Sequence, residues 1–195
     1  VALLGPDDDV VARLGRVPGR IAVAGVSGSG KTTLARRLGA RLGIPHTELD
    51  ALHHGPAWTP RPAFLDDVRA LVAQDAFVTE WQYTAARPLV LARAEVVVWL
   101  DLPTHVTMRQ VVVRTLRRSV RREVLWNGNV EPPLWRTWYR APEENIVRWA
   151  WTTRHKYRDL PAEVGRDAPD VLVVRLRSRR EVERWLAALP VVDGA

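Results

Sequence analysis

The sequence predicts a three-layer α/β domain, a five-stranded parallel sheet with helices on both faces and a helical lid inserted late in the chain. Three observations carry this. Short apolar runs alternate with segments of helical spacing, a glycine-rich loop joins the first long run to a helix, and three runs end in an acid.

The elements follow in order. Asp7-Asp8-Asp9 ahead of residues 10–14 and Gly15 reads as a capped N-terminal helix with a glycine stop. Strand 1 covers about 20–24, and the helix behind the glycine-rich loop runs to about Leu42, where Gly43-Ile44-Pro45 breaks it. Residues 46–50 form the second expected strand, ending in Asp50; the proline-dense residues 53–62 are loop. A helix over 63–74 leads into strand 76–80, ending in Glu80, and a short helix lies near 86–93. Residues 95–100 make the clearest strand, closed by Asp101. A long helix is expected over 104–124, a turn at Trp126-Asn127-Gly128-Asn129, a break at Pro132-Pro133 and a further helix over 142–158. Strand 171–176 and a helix over 178–189 complete the pattern. Uninterrupted apolar strands between helices are those of a parallel sheet buried on both faces. Ligands of such sheets bind at the carboxyl ends of the strands.

The loop itself is the most specific signal. Gly25, Val26, Ser27, Gly28, Ser29, Gly30, Lys31, Thr32 and Thr33 spell G-x-x-x-x-G-K-[ST], between a strand-like run and a helix. Glycines let backbone N–H groups turn inward on a polyphosphate, and the helix that follows presents its positive end. Lys31 is placed to reach the β- and γ-phosphates and the Thr32 hydroxyl to ligate Mg²⁺. The chain has 29 Lys and Arg residues, yet lysine occurs only at Lys31 and Lys156. A compact ammonium fits between phosphate oxygens where a planar guanidinium does not, which is a reason for this one position to stay lysine.

Composition bounds the rest. The 195 residues suit one domain, here the whole of 1–195 with a lid insertion at about 104–158. No cysteine is present, which excludes disulfides, thiolate metal sites and cysteine nucleophiles. The first residues lack a basic region before a long apolar stretch, and no segment approaches the ~20 apolar residues of a membrane span, so a cytoplasmic, soluble protein is expected. A net charge of +7 calls for an anionic partner.

Asp50, Glu80 and Asp101 are the candidate acids. Mg²⁺ needs only one or two carboxylates near Thr32, for which Glu80 and Asp101 are the candidates. Transfer to a hydroxyl also benefits from a carboxylate that takes the acceptor's proton, a role open to Asp50, Glu80 and Asp101, while transfer to a phosphate needs none. Acids at strand ends also serve as simple caps. Arg114, Arg117, Arg118, Arg121 and Arg122 recur at helical spacing on one face, with Val112, Val113, Leu116, Val120 and Val124 opposite. Arg114 and Arg118 are the candidates to close over a γ-phosphate; backbone contacts to nucleic acid are the rival use. Of nine tryptophans, Trp99 and Trp185 read as core, whereas Trp58 and Trp81 sit in loops where they could stack on a ring. Trp126, Trp135, Trp138, Trp149 and Trp151 flank polar motifs. The five histidines lack the spacing of a metal site.

Together these residues resemble the nucleoside-monophosphate-kinase superfamily of P-loop kinases, and within it an adenylate-kinase-like bacterial branch often labelled DNA topology modulation protein. The resemblance spans roughly residues 20–189. It rests on Gly25–Thr33, Glu48–Leu52, Trp58–Pro62, Glu80–Tyr83, Val98–Pro103, Arg114–Arg118, Leu125–Asn129 and Val174–Ser178. It implies a P-loop NTPase fold with strand order 2-3-1-4-5, an acceptor region after strand 2, an arginine lid after strand 4 and a nucleobase loop near Arg177-Ser178. This chain carries Glu80-Trp81-Gln82-Tyr83 where many members of the branch have Asp-Gly-Asn-Tyr. It also lacks the acceptor-side arginine pattern of true adenylate kinases.

The expectation is an ATP-dependent phosphotransferase, with ATP and Mg²⁺ as cofactors. Lys31, Glu80, Arg114 and Arg118 are its catalytic candidates. Asp50, Arg61, Trp81, Tyr83 and Arg87 are candidates to hold a small-molecule acceptor. The alternative is a nucleic-acid-associated ATPase or nucleic-acid kinase; a nucleotide-dependent regulator that signals through its lid is a third reading.

Overall fold

In the computed structural model the chain forms a single parallel sheet, and residues 1–121, 124–129 and 145–192 are described. Six strands build it: β1 (Leu3–Leu4), β2 (Arg20–Gly25), β3 (His46–Thr47), β4 (Phe77–Glu80), β5 (Val96–Leu100) and β6 (Leu172–Leu176), in the order β1-β6-β5-β2-β4-β3. This corrects the five-stranded expectation at one edge. Leu3 and Leu4 pair in parallel with Val173 and Val174, extending the sheet beyond β6. Two residues are too short a run to show strand periodicity.

β2 is central, with Ile21 opposite both Val78 and Val96. It is buried over nearly its whole length, as are β4 and β5, which is why these strands read as continuous apolar runs. Helices are α1 (Val10–Leu14), α2 (Lys31–Leu42), α3 (Leu49–His53), α4 (Phe64–Val72), α5 (Arg87–Leu91), α6 (Thr104–Arg121), α7 (Ile146–Thr152), α8 (Leu160–Asp167) and α9 (Arg179–Ala188). Caps set several of them. Asp9 accepts from Ala12 N–H and Gly15 stops α1 in the left-handed region. Ser178 accepts from Glu181 N–H at the start of α9.

One layer packs Leu34, Leu38, Leu42, Trp185 and Leu186 against Ile21, Val23, Val98 and Val174. The opposite layer packs Phe64, Val68, Val90, Tyr157 and Leu160 against Ala22, Phe77, Val97, Trp99 and Trp81. Two boundaries differ from the sequence reading. The second expected strand is only His46–Thr47, so that Asp50 lies in the first turn of α3. The helix expected over 142–158 is described as Ile146–Thr152 followed by turns, with α8 as an additional helix. Among the described residues no helix is long and apolar enough to cross a membrane.

α6 carries the side with Arg114 and Arg118 inward and its aliphatic side outward. Thr107, Val111 and Thr115 are its buried residues, and Arg114 and Arg118 lie half-buried on that same side. Val113, Leu116 and Val120 face outward, Val120 at 83% exposure. The reason is what the helix lies on. It crosses the glycine-rich loop rather than the sheet, and a Cβ on Gly28 would overlap the Thr107 carbonyl oxygen and come within 2.6 Å of Val111 Cγ2. A polar loop selects small and polar residues from α6, and the aliphatic ones are left outside. Arg122, Trp135 and Trp138 lie outside the described residues.

Candidate functional site

The phosphate-type loop leaves β2 at Gly25 and enters α2 at Lys31. Gly28 and Gly30 hold φ of 76° and 93°, the left-handed backbone that turns successive N–H groups to one side. Around Gly30 there is open space, and the Ser29 hydroxyl is buried with no protein partner. The loop therefore presents a helix N-terminus, an orphaned donor and unfilled volume, a cradle of the kind that receives an anion.

Lys31 Nζ donates to Val26 O at 3.3 Å. Desolvation lowers the ammonium to a pKa of about 8; Arg114 and Lys156 add to the fall while Asp50 and Glu80 oppose it. Lys31 is thus the point toward which two carboxylates and two cations converge, from β4, α3, α6 and the turn after α7.

Glu80 is 2% exposed at the end of β4. Its Oε2 accepts from Leu49 N–H at 3.2 Å, and Oε1 lies 3.6 Å from His46 Nε2. Burial pushes this carboxyl up, but His46, the Leu49 amide and the Thr32 hydroxyl outweigh it and hold it below its ordinary range. Glu80 is thus a buried anion favoured by the nearby Thr32 hydroxyl. Among the described residues no group of three or more His, Asp or Glu side chains could hold a metal by itself. Mg²⁺ does not need one, since it keeps several waters and takes its remaining ligands from phosphate and one or two protein oxygens. Thr32, backed by Glu80, fits that donor set.

Asp50 lies across from this pair. Its Oδ1 accepts from Tyr83 Oη at 2.6 Å and from Gln82 Nε2 at 2.7 Å. Burial, with Asp50 next, pushes the Tyr83 phenol up, so it stays a neutral donor. Tyr83 holds a φ of 58°, stacks on His53 at 4.2 Å and lies 3.2 Å from His54 Nε2. Arg61 donates to Leu52 O at 3.2 Å and pairs with Asp67 at 2.9 Å, which braces the loop beside α3.

Two tight turns face each other over this region. Ala57 and Trp58 adopt φ of 54° and 60°, Asn127 and Gly128 of 55° and 77°. Asn-Gly is the expected pair for such a turn, whereas Ala-Trp is strained there. Asn129 holds the strained turn, accepting from Trp58 N–H at 3.0 Å and donating to Gly55 O at 2.9 Å. Asn127 Nδ2 donates to His54 O, and Trp126 Nε1 to Glu48 Oε2 at 2.7 Å.

Three expected site residues are engaged by other residues. Trp81 is fully buried, donates Nε1 to Arg87 O at 3.1 Å and packs in the core, so it cannot lie over an acceptor. Arg87 is sandwiched between the Trp81 and Tyr157 rings, 4.8 Å from each, and faces Glu163 at 3.6 Å. Asp101 is paired with Arg175, whose Nε and Nη2 reach Oδ2 at 2.9 and 2.5 Å, so this acid is engaged by a residue of the neighbouring strand. Arg177 is exposed in the loop before α9, its amide donating to Glu181. The sequence reading gave no role to Gln82, His54, Asn127 or Asn129. Asn127-Gly128 was the available signal, since an Asn-Gly pair marks a tight turn, but nothing local shows what a turn docks against.

No protein-family model and no curated protein matches this sequence. Among solved structures the chain is similar to a gluconokinase from Sinorhizobium meliloti 1021, with a TM-score of 0.51, 21% identity and coverage of 89% of this chain and 93% of that one. It is similar also to a shikimate kinase from Acinetobacter baumannii in complex with shikimate, with a TM-score of 0.50, 18% identity and coverage of 91% and 94%. An unliganded sugar kinase from Janibacter sp. HTCC2649 aligns at a TM-score of 0.45, 17% identity and coverage of 86% and 89%. At such identities the likeness is one of fold. The chain has an α/β fold with a parallel sheet and flanking helices, shared with that gluconokinase and that shikimate kinase.

Proposed function

We propose that this chain transfers a phosphoryl group from ATP to a small-molecule acceptor, with residues 104–158 as the lid of a single domain. The observation that carries the reading is that Lys31, at the N-terminus of α2, lies in the field of Asp50, Glu80 and Arg114. The fold shared with a gluconokinase and a shikimate kinase agrees with it.

ATP would supply the transferred group, and Mg²⁺ would neutralise charge on it. The loop from Gly25 to Thr33 would bind the phosphates through its amides and Lys31. Thr32 would carry the metal, with Glu80 as its positioning partner. Asp50, fixed by Tyr83 and Gln82 through one oxygen, would orient an acceptor hydroxyl and receive its proton as the acceptor oxygen bonds to phosphorus and the bond to ADP breaks. Tyr83 and Arg61 would shape that side. Arg114 and Arg118, on the inner face of α6, would stabilise the charge that builds on the transferred group, with Arg177 beside the nucleobase. The adenylate-kinase-like branch remains the narrower assignment within this reading. The inward turn of Arg114 and Arg118 favours it over a nucleic-acid ATPase, which would use them on an exposed surface.

The test separates binding from turnover. Lys31→Ala is expected to abolish transfer and weaken ATP binding. Arg114→Ala and Arg118→Ala are expected to lower kcat by ~10³-fold while changing ATP affinity little. Loss of DNA or RNA binding in the arginine variants, with small-molecule transfer absent from the native protein, would overturn the reading.

A further inference from the structure

Behind the phosphate-type loop, under the turn that joins α7 to α8, lies a cavity of about 260 Å³. Its floor is apolar, made by Val26, Trp99, Leu102 and Tyr157, and its rim is cationic, made by Arg154, Arg158 and Arg175. Apart from Val26, none of these residues has a role in the transfer chemistry above. The volume is close to the lower end of the small-ligand range, about 300 Å³.

The charges on the rim are unbalanced. Arg175 is neutralised by Asp101 and covers the Trp99 ring at 4.7 Å. Arg154 donates to Trp151 O at 2.6 Å and lies over the Trp151 ring at 4.1 Å. Arg158 Nη2 lies 3.4 Å from His155 Nδ1. Among the described residues neither Arg154 nor Arg158 meets a carboxylate. Desolvation, then Arg154 and Arg158, hold the His155 imidazole below its ordinary pKa, so it adds no charge and offers a neutral ring nitrogen. Arg154 and Arg158 both line the cavity from the run of turns between α7 and α8, and two guanidinium groups on one rim can engage one anionic head.

We propose that this cavity is a binding site for a compact hydroxylated anion, a carboxylate or a phosphate ester, held at its charged end by Arg154 and Arg158. Asp101 Oδ1 offers an acceptor to a ligand hydroxyl, since both Arg175 contacts fall on Oδ2. The occupant would touch the phosphate-type loop at Val26, the residue whose carbonyl tethers Lys31. The proposal does not depend on the chain being a phosphotransferase.

The test is calorimetric titration of the full chain with malate and, separately, with glycerol 3-phosphate, which distinguishes a carboxylate from a phosphate head. Saturable binding of at least one is expected, and it should persist in Lys31→Ala, where the phosphate-type loop is impaired. Arg154→Ala and Arg158→Ala should each weaken it about tenfold or more, the scale of a lost charge-assisted hydrogen bond. Arg158 is exposed, so its replacement leaves the core untouched. As a readout free of substitution, the His155 titration followed by NMR should move upward when the probe is bound. Binding lost in Lys31→Ala but kept in both arginine variants, or no saturable binding of either probe, would overturn the proposal.

Discussion

The indole N–H of Trp126 donates to Glu48 Oε2 at 2.7 Å, across 78 positions of sequence. Glu48 is the residue before α3, the helix that carries Asp50, so the turn at Trp126–Gly128 is fastened to the element that places the acceptor-side acid. Asn127 and Asn129 add contacts to His54, Gly55 and Trp58. In the proposed enzyme this is the contact through which lid and acceptor loop would close together.

Trp126→Phe keeps the ring and removes the donor to Glu48. A hydrogen bond to a charged group contributes about 1.5–3 kcal/mol. Hydrogen exchange should therefore accelerate about tenfold or more in residues 54–59 and 124–129, with the β2 and β5 amides unchanged. Equal acceleration across the sheet would mean global destabilisation and no fastening role.

Gly28→Ala tests the seating of α6 on the phosphate-type loop. The residue holds a left-handed φ, and a Cβ there meets Thr107 and Val111. The expected cost is roughly 1–3 kcal/mol in stability, the scale of overpacking, with ATP affinity reduced as α6 is forced away. An unchanged melting temperature would place α6 elsewhere.

Glu80→Gln removes the charge behind Thr32 at constant size. Acting through Thr32, Glu80 should set the metal requirement, so the apparent Mg²⁺ affinity should fall about 10–100-fold while metal-free nucleotide binding holds. Were turnover lost with an unaltered Mg²⁺ requirement, Glu80 would act on the acceptor instead.

The pH dependence of nucleotide binding follows from Lys31. Burial holds its ammonium at about 8, and a polyphosphate bound beside it would raise that value. Affinity is then full below pH 8 and falls above it, approaching tenfold per pH unit until the pKa of the complex is passed. Calorimetry in buffers of different ionisation enthalpy should show proton uptake on binding at about pH 8–9, and none at pH 6. Absence of uptake at the higher pH would mean that Lys31 does not meet the phosphates.

How much of this was legible in the sequence depended on how local the determinants are. The loop from Gly25 to Thr33 was readable because its chemistry is backbone conformation plus adjacent side chains. β4 and β5 were readable because burial on both faces makes them uninterrupted apolar runs. Trp81 was misread because a tryptophan after a strand-end acid looks like loop, and only the fold supplies Arg87 O for its N–H. The partner of Asp101 was not readable, because Arg175 arrives from 74 residues away. The α6 arginines and the valines opposite them were readable from helical spacing, but not which side faces inward, because that depends on the polar loop the helix lies on.

The measurement that bears most directly on the central claim is phosphoryl transfer itself. The native chain and Lys31→Ala should be incubated with γ-labelled ATP and Mg²⁺ against nucleosides, nucleotides, sugars, hydroxy acids and oligonucleotide 5′-ends. Label passing to a small molecule in the native chain only, and diminished in Asp50→Asn, is the predicted result. Label passing solely to oligonucleotides, or transfer undiminished in Lys31→Ala, would contradict it.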